Sequence, residues 1–200
     1  MRRTRDDAEA TRQAIMDAAE TVFLNHGIAN TSLEKVSRAA GVTRGAFYWH
    51  FKDKSELLRA LNQRVDPPQA AMARAAAAEG HDDPLALIES VGQEILREFE
   101  GDERRQRMFE IVTANLRALD EDTSLAEANA DVFTVLTQLM TLARDQGQLD
   151  PDFTPQEAAF AMMITMNGVL AEWLRAKKSF ALFDLGGKLI RQQIRSLRVG

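Results

Sequence analysis

Apolar residues recur at helical spacing along most of the 200-residue chain, and no segment shows the sustained alternation of a β-strand. The first helical face ends at Gly27, and another helix should begin after Asp53. Pro67 and Pro68 either kink that helix or separate it from the alanine-rich segment that follows. Beyond Pro84 the pattern predicts amphipathic helices at about 85–99, 103–119, 124–146, 155–177 and 183–197. The sequence therefore predicts an all-α fold.

Residues 31–54 predict two short helices joined by a tight turn. Thr31 and Glu34 have the spacing of a capping box, which predicts that the first of these helices starts at Thr31. Gly41 tolerates the left-handed conformation that ends a helix, and Thr43 is suited to cap the next helix. The segment therefore predicts a helix-turn-helix.

The second of these helices predicts a polar and aromatic outer face. Phe47 and Phe51 are four residues apart and can face the core. The opposite face then carries Arg44, Gly45, Tyr48 and Trp49. Arginine reads guanine edges in a major groove, and hydroxyl and ring nitrogen groups hold phosphates, so this face suits DNA. From the shape alone a second interpretation stays open, because helix-turn-helix shapes are common and the aromatic residues would also suit a small core.

The charge is distributed unevenly along the chain. Residues 1–64 hold 11 Lys and Arg against 8 Asp and Glu, a net charge of +3, whereas residues 65–200 hold 14 against 22, a net charge of -8. The basic excess therefore lies with the helix-turn-helix, where it favours DNA binding. Arg2, Arg3 and Arg5 form either an arm that reaches the minor groove or an ordinary solubilising terminus.

Composition excludes several other classes of protein. The chain has no cysteine, so disulfides and thiolate metal sites are excluded. Residues 1–11 are charged and polar, and no apolar run reaches the length of a membrane span, so we expect a cytoplasmic protein. His26, His50 and His81 are scattered, and no metalloprotease, nucleophile-elbow, P-loop or dinucleotide motif occurs. We therefore expect neither an enzyme nor a bound metal or cofactor.

The segment GVTRGAFYWHFKDKSELL, preceded by TRQAIMDAAETVFLNHGIANTSLEKVS, resembles the DNA-binding signature of the TetR family of transcriptional repressors. It is most similar to the AcrR and TtgR branch, which controls multidrug efflux pumps. The resemblance implies a three-helix helix-turn-helix domain at 1–54 and a larger helical ligand-binding and dimerisation domain at 55–200. It implies phosphate contacts by Thr31, Tyr48, His50 and Lys54, base contacts by Arg44, and groove-facing places for Gly45 and Ala46. Thr43 and Trp49 complete the predicted interface.

The resemblance also implies a ligand pocket among the middle helices of the second domain. The positions that it indicates are Ile88, Val91, Ile95, Phe109, Thr113, Val132, Leu136, Met163, Met166 and Asn167. Methionine adapts to irregular ligands, although methionines at helical spacing also suit an ordinary core. Phe109 and Thr113 match places where relatives can carry more polar groups, which favours an apolar pocket. A buried Asn167 would be costly without a partner, so we expect it to contact the ligand or another helix.

The last helix carries an apolar stripe that includes Leu185 and Leu189 and needs a partner, either the protein's own core or a second subunit. The resemblance favours a homodimer that pairs the last two helices. A dimer would read a palindromic operator through two successive major grooves. We therefore expect a repressor that a hydrophobic small molecule releases from operator DNA. The alternatives are a transcriptional activator, a ligand-independent DNA-binding regulator and, last, a small helical enzyme.

Overall fold

A computed structural model describes residues 5–64, 68–114 and 123–200, and over these residues it confirms the all-α prediction. The only β pairing in these ranges is an isolated bridge between Leu149 and Arg198. The predictions for Arg2, Arg3, Pro67 and the helical residues 115–119 lie outside these ranges. The helices are α1 (Arg5–His26), α2 (Leu33–Ala39), α3 (Arg44–His50), α4 (Lys54–Arg64), α5 (Pro68–Glu79), α6 (Pro84–Gly101), α7 (Glu103–Ala114), α8 (Thr123–Asp145), α9 (Pro155–Arg175) and α10 (Leu182–Leu197).

The chain divides into two compact units, and the division differs from the predicted boundary between residues 54 and 55. The N-terminal unit contains Met1–Val65 and Arg104–Ala128, and the C-terminal unit contains Asp66–Glu103 and Asn129–Gly200. Helix α4 lies in the N-terminal unit because its apolar face is buried in that unit's core. Most of α7 lies there for the same reason. The fully buried residues of this core include Ile15, Phe23, Val36, Phe47, Phe51, Leu57, Leu58, Leu61, Met108 and Ile111.

Local capping signals set the ends of the short helices. Gly41 has a φ of 66°, which glycine adopts without the steric cost that other residues incur. The Thr43 hydroxyl accepts a hydrogen bond of 3.1 Å from the amide of Ala46, which confirms the predicted cap of α3. Asp53 accepts in the same way from the amide of Glu56 at 2.8 Å and confirms the predicted start of α4. The turn between α2 and α3 is therefore short, as a helix-turn-helix requires.

The predicted capping box at Thr31 is wrong, and Ser32 caps α2 instead. The Ser32 hydroxyl accepts a hydrogen bond of 3.2 Å from the amide of Lys35. Thr31 is 2% exposed, and its hydroxyl donates to the carbonyl of Gly27 at 2.7 Å. The Thr31 side chain therefore ties the α1–α2 loop to the end of α1.

A buried carboxylate joins three helices of the N-terminal unit. Glu20 of α1 has a side chain only 7% exposed, and its oxygens lie 3.2 Å from Arg64 of α4 and 3.4 Å from Arg104 of α7. Arg107 lies 3.9 Å from the same carboxylate. Asp17, one turn earlier on α1, pairs with Arg64 at 2.7 Å and with Arg104 at 3.1 Å. We call Asp17, Glu20, Arg64, Arg104 and Arg107 the α1 ionic cluster.

In the C-terminal unit α6 packs against α5 and α10, and α9 packs against α10. Helix α9 begins with a capping box in which hydrogen bonds from Thr154 lower the pKa of Glu157. Near its end lies Trp173, which is 2% exposed and donates from its indole nitrogen to the carbonyl of Phe180 at 2.9 Å. Among the described residues, none of the helices has the length and apolar character of a membrane span.

Asp83 joins the start of α6 to the end of the chain. Its carboxylate accepts from the amide of Ala86 at 2.9 Å and from the guanidinium of Arg198 at 2.7 Å. Burial alone would raise the pKa of Asp83, but the hydrogen bonds from Arg198 and Ala86 outweigh it and lower the pKa below its ordinary value. The amide of Val199 also donates to the carbonyl of Gln148 at 2.9 Å. The residues after α10 are therefore fixed to the rest of the unit.

We expect Asp83→Asn to lower stability at neutral pH but not in acid. Asparagine still caps a helix, so the substitution removes mainly the charge. Because the folded pKa of Asp83 is lowered, its stabilisation is present above the unfolded value of about 3.9 and disappears as pH falls through the folded pKa. The side chain is 42% exposed, so solvent screening limits the effect to at most about 1 kcal/mol. Thermal unfolding should separate the two proteins at pH 7, and the gap should narrow as pH falls below about 3.9; a gap that does not change with pH would contradict this assignment.

Candidate DNA-binding interface and ligand cavity

Helix α3 presents one face to the core and the opposite face to solvent. Phe47 is fully buried and Phe51 is 1% exposed, whereas Trp49 is 72% exposed and Tyr48 is 45% exposed. The predicted separation of the two faces is therefore correct. A tryptophan with that exposure contributes nothing to the core, so the interpretation of Trp49 as a core residue is wrong.

The exposed face of α3 arranges a guanidinium beside an aromatic ring. The guanidinium carbon of Arg44 lies 5.5 Å from the centre of the Tyr48 ring, close enough for a cation–π contact. Gly45 is exposed, and a methyl group at its position would meet no atom within 4 Å. Thr43 is exposed at the helix start, and Ala46 is half-buried beside it. The face is therefore an open surface with one preoriented arginine.

His50 and Lys54 lie at the far end of this surface. The imidazole of His50 is half-buried and packs edge-on to the ring of Trp49, with ring centres 4.6 Å apart. Lys54 is half-buried at the start of α4, and its ammonium group donates to the carbonyl of Ile28 at 2.8 Å. An ammonium group has three donors and can serve more than one acceptor, and contact of Lys54 with a phosphate stays a prediction. No pattern in the sequence indicates the bond to Ile28.

The structure disfavours the prediction that the Thr31 side chain contacts phosphate. Its hydroxyl is buried and donates to Gly27, as described above. The other eight predicted DNA-contacting residues lie in one segment, from the cap of α3 to the first residue of α4: Thr43, Arg44, Gly45, Ala46, Tyr48, Trp49, His50 and Lys54. Contact of these residues with DNA stays a prediction.

An apolar cavity of about 270 Å³ lies within the C-terminal unit. Its wall is formed by aliphatic and methionine side chains, and the described lining residues include no aromatic ring. Arg74, Asp131 and Asn167 supply the polar groups of the wall, and all three are solvent-exposed. The cavity therefore suits an apolar molecule with polar groups near the solvent.

The structure gathers eight of the ten predicted pocket residues around this cavity. They are Ile88, Val91 and Ile95 of α6, Val132 and Leu136 of α8, and Met163, Met166 and Asn167 of α9. Phe109 and Thr113 are not among the residues that line it. Both lie on α7 within the N-terminal unit, where the Thr113 hydroxyl donates to the carbonyl of Phe109 at 2.8 Å. Ligand binding by the eight lining residues stays a prediction.

The expectation of a buried Asn167 is wrong, because this residue is exposed. An exposed amide can bond to water, so the argument from an unsatisfied buried group does not apply to it. Sequence reasoning also missed part of the cavity wall. The lining residues outside the predicted set are Ala70, Ala73, Arg74, Leu87, Gly92, Asp131, Val135, Leu139 and Met162. Two of them carry a signal in the sequence: Met162 belongs to the methionine cluster of this helix, which suits a pocket, and a glycine such as Gly92 inside an apolar helix indicates a close approach.

These features define a helical DNA-binding regulator, with a helix-turn-helix in one unit and an apolar cavity in the other. A family model described as "Bacterial regulatory proteins, tetR family" matches residues 15–61. The "HTH-type transcriptional repressor BepR" of Brucella suis biovar 1 (strain 1330) is 35% identical over 99% of this chain and 97% of its own length. The chain belongs to the TetR family of bacterial transcriptional regulators, as the sequence resemblance predicted.

Two solved structures share the whole fold. NalD, described as the secondary repressor of the MexAB-OprM multidrug efflux pump in Pseudomonas aeruginosa, is 31% identical with a TM-score of 0.78, covering 96% of this chain and 98% of NalD. A complex of SmeT with triclosan is 33% identical with a TM-score of 0.78, covering 95% of this chain and 92% of SmeT. SmeT is described as the repressor of the Stenotrophomonas maltophilia multidrug efflux pump SmeDEF.

Proposed function

We propose that the protein is a ligand-responsive repressor that binds a palindromic operator as a homodimer and controls a multidrug efflux operon. The observation that carries this proposal is the presence, in one chain, of an exposed α3 face suited to DNA and a separate apolar cavity. NalD and SmeT, which share the fold, are described as repressors of multidrug efflux pumps, and SmeT forms a complex with triclosan. As a DNA-binding regulator, the protein would act in the cytoplasm.

In this proposal α3 enters the major groove and Arg44 contacts base edges. The Tyr48 ring restricts the guanidinium of Arg44, which reduces the conformational freedom lost on binding. Tyr48, His50 and Lys54 contact phosphates and fix the orientation of α3, while the exposed Gly45 allows close approach of the helix. Thr43, Ala46 and Trp49 complete the surface that faces the DNA.

We expect Lys54→Ala to weaken binding to all DNA sequences. A lost phosphate contact should lower the slope of log K against log salt by about one for each protomer, because fewer counterions are released. The substitution also removes the bond to Ile28. Arg97→Ala serves as the control, since it removes one positive charge from α6 of the other unit. Fluorescence anisotropy across a salt series would measure both slopes; an unchanged slope for Lys54→Ala would contradict the phosphate contact.

The proposed dimer forms through α9 and α10. These two helices pack against each other and expose large apolar side chains: Phe160 is 54% exposed, Ile164 is 70% exposed, Leu185 is 44% exposed and Leu189 is 41% exposed. Exposed apolar side chains concentrated on two adjacent helices are typical of a protein interface. The inner stripe of α10, by contrast, is already used, since Ile190 and Ile194 are each 2% exposed.

We expect Ile164→Glu to dissociate the dimer. A carboxylate in an apolar interface is desolvated without a partner, so dimerisation should weaken by at least about tenfold. Light scattering after size-exclusion chromatography would give the mass, and anisotropy would give operator affinity, which should fall with dimerisation. Gln156→Glu, on an exposed position of the same helix, is the control for charge. A dimer of unchanged strength in Ile164→Glu would place the interface elsewhere.

Release of DNA requires that the ligand bind one conformation better than another, because equal affinity for both shifts nothing. The DNA-competent and released conformations would differ in the separation of the two α3 helices of the dimer. Helix α4 belongs to the N-terminal unit, and α5, which follows it in the chain, contributes Ala70 and Ala73 to the cavity wall. Coupling would therefore pass along the chain from α5 to α4.

Fluorescence anisotropy with the intergenic DNA beside the protein's own gene tests this proposal. We expect tight, salt-dependent binding that triclosan or another hydrophobic compound reverses. Absence of binding at low salt would refute the DNA-binding part. Binding that no hydrophobic compound reverses would refute the ligand response. A reporter gene under the same intergenic DNA should show lower expression when the protein is present, and higher expression would favour an activator.

A further inference from the structure

Gly92 occupies the centre of the α6 stripe that lines the cavity. It is buried, and Ile88 and Ile95, about one helical turn away on either side, line the same cavity. A glycine inside a helix is unfavourable relative to alanine. Gly92 is not among the glycines with positive φ in the described residues, so its backbone conformation does not require glycine. The remaining physical reason for a glycine at this position is space.

The space at Gly92 is bounded by two flexible side-chain ends. A Cβ atom there would lie 3.1 Å from Cδ1 of Ile190 and 3.4 Å from Cε of Met166. Met166 lines the cavity, whereas Ile190 is a buried core residue. A methyl group at Gly92 would therefore insert between the core and the cavity wall. Both contacts are with the far ends of flexible side chains, so a shift of a few tenths of an ångström in Ile190 and Met166 makes room for the methyl group.

Gly186 of α10 is a glycine that close helix packing requires, and it serves as a comparison for Gly92. A Cβ atom there would lie 2.7 Å from Cδ1 of Leu96 and 3.1 Å from Cγ1 of Val169. Gly186 is buried and is not among the residues that line the cavity. Gly186 therefore serves close packing between helices, and alanine there would strain the fold. Gly92 differs because it lies in the cavity wall and its neighbours can yield.

We propose that Gly92 is a specificity-determining residue of the cavity. Its missing side chain lets Ile190 and Met166 pack closely against α6, so that the Met166 thioether lies back against this helix in the cavity wall. A methyl group at Gly92 pushes the Met166 thioether towards the cavity, which excludes ligands of two-ring size and still admits single-ring compounds. This inference rests on the proposed ligand response and adds to it the residue that sets the size limit.

The size of the cavity makes a single methyl group significant. Its volume of about 270 Å³ lies just below the range of about 300–1,000 Å³ typical of small-molecule sites. One methylene group too many in an apolar pocket changes affinity by about 10- to 200-fold. A two-ring compound would fill the cavity and lose that much affinity when Met166 is displaced into it, while a single-ring compound can bind away from Met166.

Isothermal titration calorimetry of the full chain with triclosan and with 4-chlorophenol tests the inference. We expect Gly92→Ala to weaken triclosan binding by about tenfold or more and to change 4-chlorophenol binding by less than about threefold. Operator affinity without ligand should be unchanged, and the triclosan concentration that releases DNA should rise by the same factor. Thermal unfolding of Gly92→Ala should change less than that of Gly186→Ala, because the nearest atom lies 3.1 Å away at Gly92 and 2.7 Å away at Gly186, and alanine favours the helix.

Two further variants separate a size limit from a general packing effect. Gly101→Ala at the end of the same helix meets no atom within 4 Å and should leave both affinities unchanged. Gly186→Ala should lower the unfolding temperature and affect both compounds alike. Equal weakening of both compounds by Gly92→Ala, or no weakening of triclosan, would overturn the inference while leaving the proposed function intact. Wild-type protein that binds neither compound would refute the proposed ligand response and, with it, the inference.

Discussion

Replacing Arg44 with alanine should remove most of the protein's ability to distinguish its operator from other DNA. In the proposed complex Arg44 is the base-reading side chain of α3, and the Tyr48 ring holds its guanidinium in place. A well-formed arginine–base contact discriminates by about 1–3 kcal/mol, and a dimer on a palindrome makes the contact twice. Operator affinity should therefore fall by about a hundredfold, while affinity for unrelated DNA falls far less.

Anisotropy titrations with the operator and with a scrambled duplex, at one fixed salt concentration, would give the ratio of the two affinities. Arg175→Ala is the matched control, because it removes the same charge from the end of α9, where Arg175 pairs with Glu172. Its ratio should equal that of the wild type. If Arg44→Ala weakened binding to both duplexes by the same factor, Arg44 would be a phosphate contact rather than a base contact.

Removal of the Glu20 carboxylate should destabilise the N-terminal unit more than any other change of charge proposed above. Glu20 lies among three guanidinium groups, and the side chain of Arg64 is only 17% exposed. Breaking a buried ion pair by removing one partner leaves an uncompensated charge and costs about 3–5 kcal/mol. Asp17 still pairs with Arg64 and Arg104, which limits the expected loss for Glu20→Ala to about 3 kcal/mol.

Urea unfolding followed by circular dichroism at a fixed protein concentration would measure this loss. Glu34→Ala is the matched control, because Glu34 pairs with Arg38 on the surface of α2, where the two side chains are 67% and 80% exposed. An exposed pair of this kind contributes about 0.5 kcal/mol or less. Equal losses in the two variants would show that the α1 ionic cluster does not stabilise the unit through its burial.

Sequence reasoning worked best where the signal was local. The caps Thr43 and Asp53 can be predicted from the sequence, because a capping side chain bonds to an amide only a few residues ahead. In the structure each of them bonds to the amide three residues ahead. The two faces of α3 followed from the four-residue spacing of Phe47 and Phe51, and exposure of Trp49 agrees with it. The prediction that Thr31 caps α2 is wrong because Ser32, its neighbour, has an equally suitable hydroxyl. Only the fold of the α1–α2 loop decides which of the two residues is the cap.

Contacts between residues far apart in the chain could not be predicted from the sequence. Arg104 lies 87 residues after Asp17, and no periodicity links the two. The same limit explains the position of Phe109 and Thr113, since the sequence did not reveal that α7 packs in the N-terminal unit. The exposure of Asn167 could not be predicted either, because its helix is apolar on more than one face and the pattern does not show which face is buried.

The chain contains two tryptophans, and they belong to different units. Trp49 is 72% exposed on α3 of the N-terminal unit, whereas Trp173 is 2% exposed beside Phe99 in the C-terminal unit, with ring centres 6.0 Å apart. Their emission should differ in wavelength and in quenching by iodide, because only Trp49 meets solvent. With one of them replaced by phenylalanine, the other becomes an intrinsic optical reporter of its own unit, so that changes in the two units can be timed separately without an attached dye.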